Sequence, residues 1–208
     1  MSVEIQEYNL PDIEIFQKPR SCYDFIIWQP DKIYLILGQS NKMEESLFLE
    51  KVESDGISVL RRPSGGEAVI LTPITLVISA VIVDAEIKKP HQYFKTFNDI
   101  IINGLLQAGI ENVVPKGISD LAIEDKKISG SSIYHKKDKL FFQSVLNVAE
   151  STEKIIKYIK HPKREPDYRK GRNHDEFITS LIKHYPKLSA NYLIKCLLYE
   201  MKAFKDSL

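Results

Sequence analysis

The sequence predicts an α+β fold, a mixed and largely antiparallel sheet with flanking helices. Two observations carry this. Short β-branched and aromatic runs recur, bounded by Gly, Pro, Asn or Asp. Strands and helices do not alternate strictly, and two segments, about 90–108 and 190–205, repeat apolar residues at helical steps. The chain has 208 residues, 43% of them hydrophobic and 27% charged. That suits one domain over 1–208 with a sizeable core. A net charge of +1 supplies no global field for nucleic acid or a membrane surface.

Taken in order, residues 1–21 form an irregular lead-in with at most one edge strand. Asp24–Trp28 and Lys32–Leu37 flank Gln29-Pro30-Asp31 and read as a hairpin. Asn41 is placed to cap a helix through about Ser54, closed by Asp55-Gly56. Ile57–Leu60 and Ala68–Leu71 read as two strands joined by a turn. Ile74–Val83 is a long apolar strand, buried on both faces. Pro90 opens a helix whose Phe94, Phe97, Ile101 and Leu105 form a core stripe, with Gly109 ending it. Strands follow at 111–115, 120–124, 126–135 and 140–148, then a short helix at 152–159. The loop 161–172 is basic and reads as solvated, or as a contact for an acidic partner or a nucleotide phosphate. Helices at 174–184 and 190–205 close the chain. Cys196 sits beside the stripe Leu193, Ile194, Leu197, Leu198 and Met201 and is expected to be packed. Two cysteines, Cys22 and Cys196, make no disulfide framework, so a reducing compartment is the easier reading. The N-terminus has early acids and no signal-peptide core, and no run of about 18 apolar residues exists. These readings place the chain in the cytoplasm.

Two stretches point to chemistry. Arg61-Arg62-Pro63-Ser64-Gly65-Gly66-Glu67-Ala68-Val69 joins two strands through adjacent glycines. Glycine tolerates positive φ and close backbone approach, and exposed N–H groups beside guanidinium donors suit a carboxylate or phosphate. The bland alternative is a hairpin loop. Ser119–Ser132 reads as a strand, an acidic turn, and a second strand bearing Lys127 and, after Ile128, the small residues Ser129-Gly130-Ser131-Ser132.

Together these stretches resemble the lipoate–protein ligase family, within the biotin/lipoate ligase superfamily. That family carries Arg-Arg-x-Ser-Gly-Gly-Gly-Ala-Val, then Asn-Asp-Leu followed by Lys-(Ile/Val)-(Ser/Ala)-Gly-Ser-Ala. The likeness runs from about Trp28 to Pro186. It implies the same α+β architecture and an enzyme that joins lipoate to ATP, giving lipoyl-AMP, and then passes the lipoyl group to a lysine of an acceptor domain. It implies ATP, Mg²⁺ and lipoate as ligands. The implied partner is an acceptor domain of the 2-oxoacid dehydrogenase E2 or glycine-cleavage H type, with a separate accessory-domain chain as a further candidate. Lys127 is implied as the catalytic lysine touching the acyl carbonyl and α-phosphate. Arg62 is implied at the nucleotide. Ser64, Gly65, Gly66, Glu67, Ala68, Val69, Ile70 and Gly130 are implied to line the ligand. Asp120 is implied beside the phosphates, where it could hold Mg²⁺; the bland alternative is a turn residue. Gly38-Gln39-Ser40-Asn41 resembles a segment near the acyl pocket.

The departures are specific. Glu67 replaces the third motif glycine, Leu71-Thr72-Pro73 replaces an aromatic-His-Asp turn, and Phe142-Gln143 replaces a His-Gly segment. The family's N-terminal helix is not visible, and the sequence ends without the C-terminal accessory domain. Two alternatives stand beside the ligase reading: an acyltransferase that takes octanoyl or lipoyl groups without activating them, and a binding protein without chemistry. A cysteine mechanism would fall to Cys22. A biotin ligase is disfavoured because its Gly-Arg-Gly-Arg motif is absent.

Overall fold

The computed structural model describes residues 3–83 and 90–207. In chain order the elements are β1 (Ile5–Glu7), α1 (Asp12–Gln17), β2 (Tyr23–Trp28), β3 (Tyr34–Leu37), α2 (Met43–Ser46), α3 (Leu49–Ser54), β4 (Ser58–Arg61), β5 (Val69–Leu71), β6 (Leu76–Val83), α4 (Pro90–Gln107), β7 (Val113–Lys116), β8 (Asp120–Ile123), β9 (Lys126–Lys136), β10 (Lys139–Leu146), α5 (Thr152–Tyr158), α6 (His174–Phe177), α7 (Leu181–His184) and α8 (Ala190–Asp206). They build two sheets. The larger has the order β2-β6-β10-β9-β8-β7 and is antiparallel throughout. The smaller has the order β1-β4-β3-β5, parallel except for β5. The mixed, largely antiparallel expectation therefore holds.

The period-2 alternation of β6 and β10 decides what packs on each face. Leu76, Ile78 and Ala80 of β6, with Leu140, Phe142 and Leu146 of β10, join a core made with α4 and α8. Val77, Val81, Phe141 and Val145 point the other way, toward the smaller sheet and α1. On the helix side, Phe97 stacks on Phe142 with centroids 4.3 Å apart. Each such buried side chain contributes about 1.5–3 kcal/mol through removal from water. α4 and α8 cross closely at Gly104, where a Cβ would lie 3.1 Å from the Leu197 Cα.

Several expectations are corrected. The segments 24–28 and 32–37 do not form a hairpin: β2 pairs with β6 and β3 lies in the other sheet. β3 buries Leu35 and Leu37 on one face and Ile36 on the other, and its backbone pairs with β4 along one edge and β5 along the other. The two strands flanking the Arg-Arg motif are likewise not paired with each other, because β3 is inserted between β4 and β5. The expected helix 41–54 is two short helices. Leu47 bridges to Ile159 and the Phe48 N–H donates to the Tyr158 carbonyl, which interrupts the helix. Asn41 is not its cap; its side-chain oxygen accepts from the Gly38 N–H at 2.8 Å. The expected helix 174–184 is also broken, at 178–180. The lead-in holds β1 and the helix α1, whose Ile15 packs on Val81 and Phe141. α4, α5 and α8 lie where periodicity places them, and Cys196 is buried as expected. No helix among the described residues is long and apolar enough to cross a membrane.

Candidate active site

Because β3 separates β4 from β5, the Arg62–Ala68 connection must cross the C-terminal end of β3. It does so in near contact: a Cβ on Gly38 would lie 2.0 Å from the Gly66 carbonyl oxygen. Gly66 itself has φ +95°, open to glycine. Two arginines fix this crossing from below. The Arg61 Nη1 donates to the Gly38, Gln39 and Asn41 carbonyls. Arg62, buried at 7% exposure, donates from Nη2 to the Gly65 carbonyl (2.7 Å) and the Glu67 carbonyl (3.0 Å), and from Nε to the Ser64 Oγ (3.0 Å). Burial pulls the Arg62 guanidinium down to about 10.

Ser64 ties this loop to the larger sheet. Its Oγ lies 2.9 Å from the Ser132 Oγ of β9 and 3.4 Å from the Gln143 Oε1 of β10. Gln143 in turn donates to Asp12 and to the Tyr8 hydroxyl, and Tyr8 and Ser79 also donate to Asp12. Burial raises both the Tyr8 phenol and the Asp12 carboxyl. Gln143, noted in the sequence only as a departure, thus links the motif loop to a buried polar cluster.

Lys127 is placed by a β-bulge. β8 and β9 pair Asp120 with Gly130 and Ala122 with Lys127, with a register shift between Leu121 and Ala122. In a regular strand residues 127 and 130 would face opposite ways. The extra residue at the bulge puts them on one face. The Lys127 ammonium therefore lies across Gly130, where a Cβ would be 2.6 Å from Nζ. It pairs with the Asp120 Oδ1 at 2.9 Å. The lysine side chain is 29% exposed and the aspartate 7%. The break after α6 serves this strand: Ile178 bridges to Lys127 and the Thr179 N–H donates to the Lys127 carbonyl.

Both motifs face one cavity of about 940 Å³, within the range of small-molecule sites. Arg62, Gly66, Glu67, Ala68, Val69 and Ile70 line one side, and Asp120, Lys127 and Gly130 line the other. Ser64 is buried behind the wall and Gly65 is exposed at the turn. Neither Cys22 nor Cys196 is among the lining residues. The basic segment 161–172, read as solvated, borders the cavity through residues 162–169. Tyr168 donates to the Asp120 Oδ2 at 2.9 Å, and burial raises its phenol. His174 lines the cavity with Nε2 3.1 Å from the Lys160 carbonyl oxygen, and burial lowers its imidazole. Tyr168 and His174 were not legible as site residues, since the first lies in a basic loop and the second in an expected helix.

The described residues contain no cluster of three or more His, Cys, Asp or Glu able to cage a metal. The Asp120 Oδ1 receives Lys127 and, at 3.3 Å, the Ser119 hydroxyl, and Oδ2 receives Tyr168. A carboxylate oxygen keeps a second lone pair, so Asp120 fits Mg²⁺ as one ligand beside phosphate oxygens.

Comparison with known proteins identifies the family and the fold. The family described as the lipoyl protein ligase A/B catalytic domain matches residues 2–202. The lipoate-protein ligase LplJ of Bacillus subtilis is 25% identical over 160 residues, which is 77% of this chain and 46% of that protein. The chain thus spans about half the length of that curated relative. The Thermoplasma acidophilum structure of a bipartite lipoate protein ligase and its E2 lipoyl domain superposes with TM-score 0.79 at 18% identity, covering 98% of this chain and 83% of that one. A lipoate-protein ligase A bound with ATP gives TM-score 0.79 at 18% identity, covering 97% and 83%. At these identities the structural likeness establishes the fold.

Proposed function

The chain belongs to the lipoyl protein ligase A/B catalytic-domain family, and on that basis we propose that it activates lipoate with ATP and transfers the lipoyl group to a lysine of an acceptor domain. One observation carries the reading. Lys127, aimed by a bulge over Gly130 and paired with Asp120, faces the Gly66–Val69 wall across a single cavity. In the first step a lipoate carboxylate oxygen attacks the α-phosphorus of ATP, forming the acyl–phosphate bond and releasing pyrophosphate. In the second the acceptor amine attacks the acyl carbon and AMP leaves. Both steps gather negative charge at the acyl–phosphate junction. A fixed ammonium and backbone N–H donors stabilise that charge without reorganising, and placement of carboxylate, phosphate and amine supplies much of the rate.

In this reading Lys127 contacts the acyl carbonyl and the α-phosphate. Asp120 holds Lys127 and would be the residue to hold Mg²⁺, which would supply neutralisation of phosphate charge. Arg61 and Arg62 brace the wall through backbone carbonyls, and Arg62, which also lines the cavity, is the arginine nearest the nucleotide in this reading. The acceptor is of the E2 or H type, supported by the E2 lipoyl domain that accompanies the Thermoplasma ligase. That bipartite ligase also supports a separate accessory chain as a partner. The cysteine-nucleophile transferase is not favoured, since neither cysteine borders the cavity.

Pyrophosphate exchange into ATP, dependent on lipoate and Mg²⁺, tests the reading. Wild type should exchange, and Lys127→Ala should lose about 10²–10³-fold, as loss of a principal oxyanion contact does. Wild type that transfers from synthetic lipoyl-AMP but never exchanges would replace this reading with a transferase.

A further inference from the structure

We propose that Tyr168 is a positioning residue whose hydroxyl, through Asp120, holds Lys127 over the cavity and fastens the segment 161–172 across the cavity rim. This deepens the ligase reading and rests on it for its kinetic consequence. The chain of contacts is short. The Tyr168 hydroxyl donates to the Asp120 Oδ2 at 2.9 Å, and the Asp120 Oδ1 receives the Lys127 ammonium at 2.9 Å. Asp120 is thus held from both sides, which sets the direction in which it presents Oδ1. A carboxylate with one free oxygen can rotate and carry its lysine with it.

The segment is organised internally without this bond. Arg172 donates to the carbonyls of Tyr168 and Arg169, and Arg169 donates to the carbonyl of Arg172. Both guanidinium groups lie over the Phe177 ring, at 4.7 and 5.3 Å. The Tyr168 ring packs against Phe177 at 5.0 Å and reaches the turn at Gly117, where a Cβ would meet its edge at 4.0 Å. Gly117 has φ +58°, and it leaves space there for the ring. Removing the phenolic oxygen alone therefore leaves the ring seated and deletes one link, that to β8.

Tyr168→Phe tests this in the full chain with three readouts. Lys127 acetylation by acetic anhydride at fixed pH, followed by mass spectrometry against other lysines, should change at least about threefold. Tryptic cutting between Lys163 and Arg172 should rise about tenfold, because a hydrogen bond to a carboxylate holds the closed form by about that ratio. In the exchange assay kcat should fall about tenfold, with KM for lipoate and ATP within about threefold, as for an interaction made at the transition state. Unchanged labelling and unchanged cutting would overturn the assignment. So would increased cutting with an unchanged kcat, which is what a merely structural tether gives. Labelling and proteolysis need no ligase chemistry, so a wild type that fails to exchange would count against the ligase reading alone.

Discussion

The cations on the two walls of the cavity are used differently. On the Arg62–Ala68 wall, two guanidinium groups donate to at least five backbone carbonyls, those of Gly38, Gln39, Asn41, Gly65 and Glu67. On the β8–β9 wall one ammonium has a single carboxylate partner and remains partly open to the cavity. A planar guanidinium with five fixed donors suits a permanent clamp, whereas an ammonium held by one carboxylate keeps donors for a ligand. The difference teaches that arginines at a cavity can brace its wall through backbone carbonyls. The working charge is then the one with the fewest commitments.

That contrast can be broken most sharply at Arg62. Arg62→Ala should cost about 3 kcal/mol of stability by leaving carbonyls of the crossing loop unpartnered. Arg62→Lys should restore little of it, because a lysine cannot match the fork; denaturant unfolding measures both. A fully stable Arg62→Ala would show that the guanidinium is reserved for ligand. Next is Gly130→Ala. The new Cβ would lie 2.6 Å from the Lys127 Nζ, the mobile end of that side chain. The lysine should be displaced, with an unfolding midpoint close to wild type and exchange reduced about 100-fold, or about 2.7 kcal/mol at the transition state. Gly38→Ala should do the opposite, costing about 2 kcal/mol through a backbone clash with the Gly66 carbonyl. Equal effects of the two alanines on stability would dissolve the distinction between a rigid wall and an adjustable one.

The smallest effect lies outside the cavity and serves as a control. Asp24 is buried, which by itself would raise its carboxyl, but hydrogen bonds and charge from Arg20 outweigh burial and hold it below the usual range. Its contribution is therefore present above the unfolded carboxylate value of about 4 and is lost as pH falls through the lower folded value. With Arg20 mostly exposed, Asp24→Asn should cost about 1 kcal/mol at neutral pH and flatten the acid limb of the stability profile. An unchanged acid limb would assign that limb to other carboxyls.

Element types were largely legible because they follow from local periodicity. α4 and α8 carry their apolar residues at helical steps, and β6 and β10 alternate around buried faces. Partners were less legible. Nothing local in Tyr34–Leu37 says that it inserts between β4 and β5, since its edge partners lie at residues 58–61 and 69–71, far along the chain. The helix breaks at 47–48 and 178–180 were hidden for the same reason, because distant strands and loops take those backbone groups.

The sequence by itself determined the family and the α+β class, and it named Gly66, Asp120, Lys127 and Gly130, which line the cavity. These are legible from residue type, order and local periodicity. Tertiary structure alone decided that the Arg62–Ala68 loop crosses over Gly38, that a bulge turns Lys127 onto the face of Gly130, and that Tyr168 reaches Asp120. Each depends on contacts between residues far apart in the chain, whose direction and register are set by the burial of whole elements.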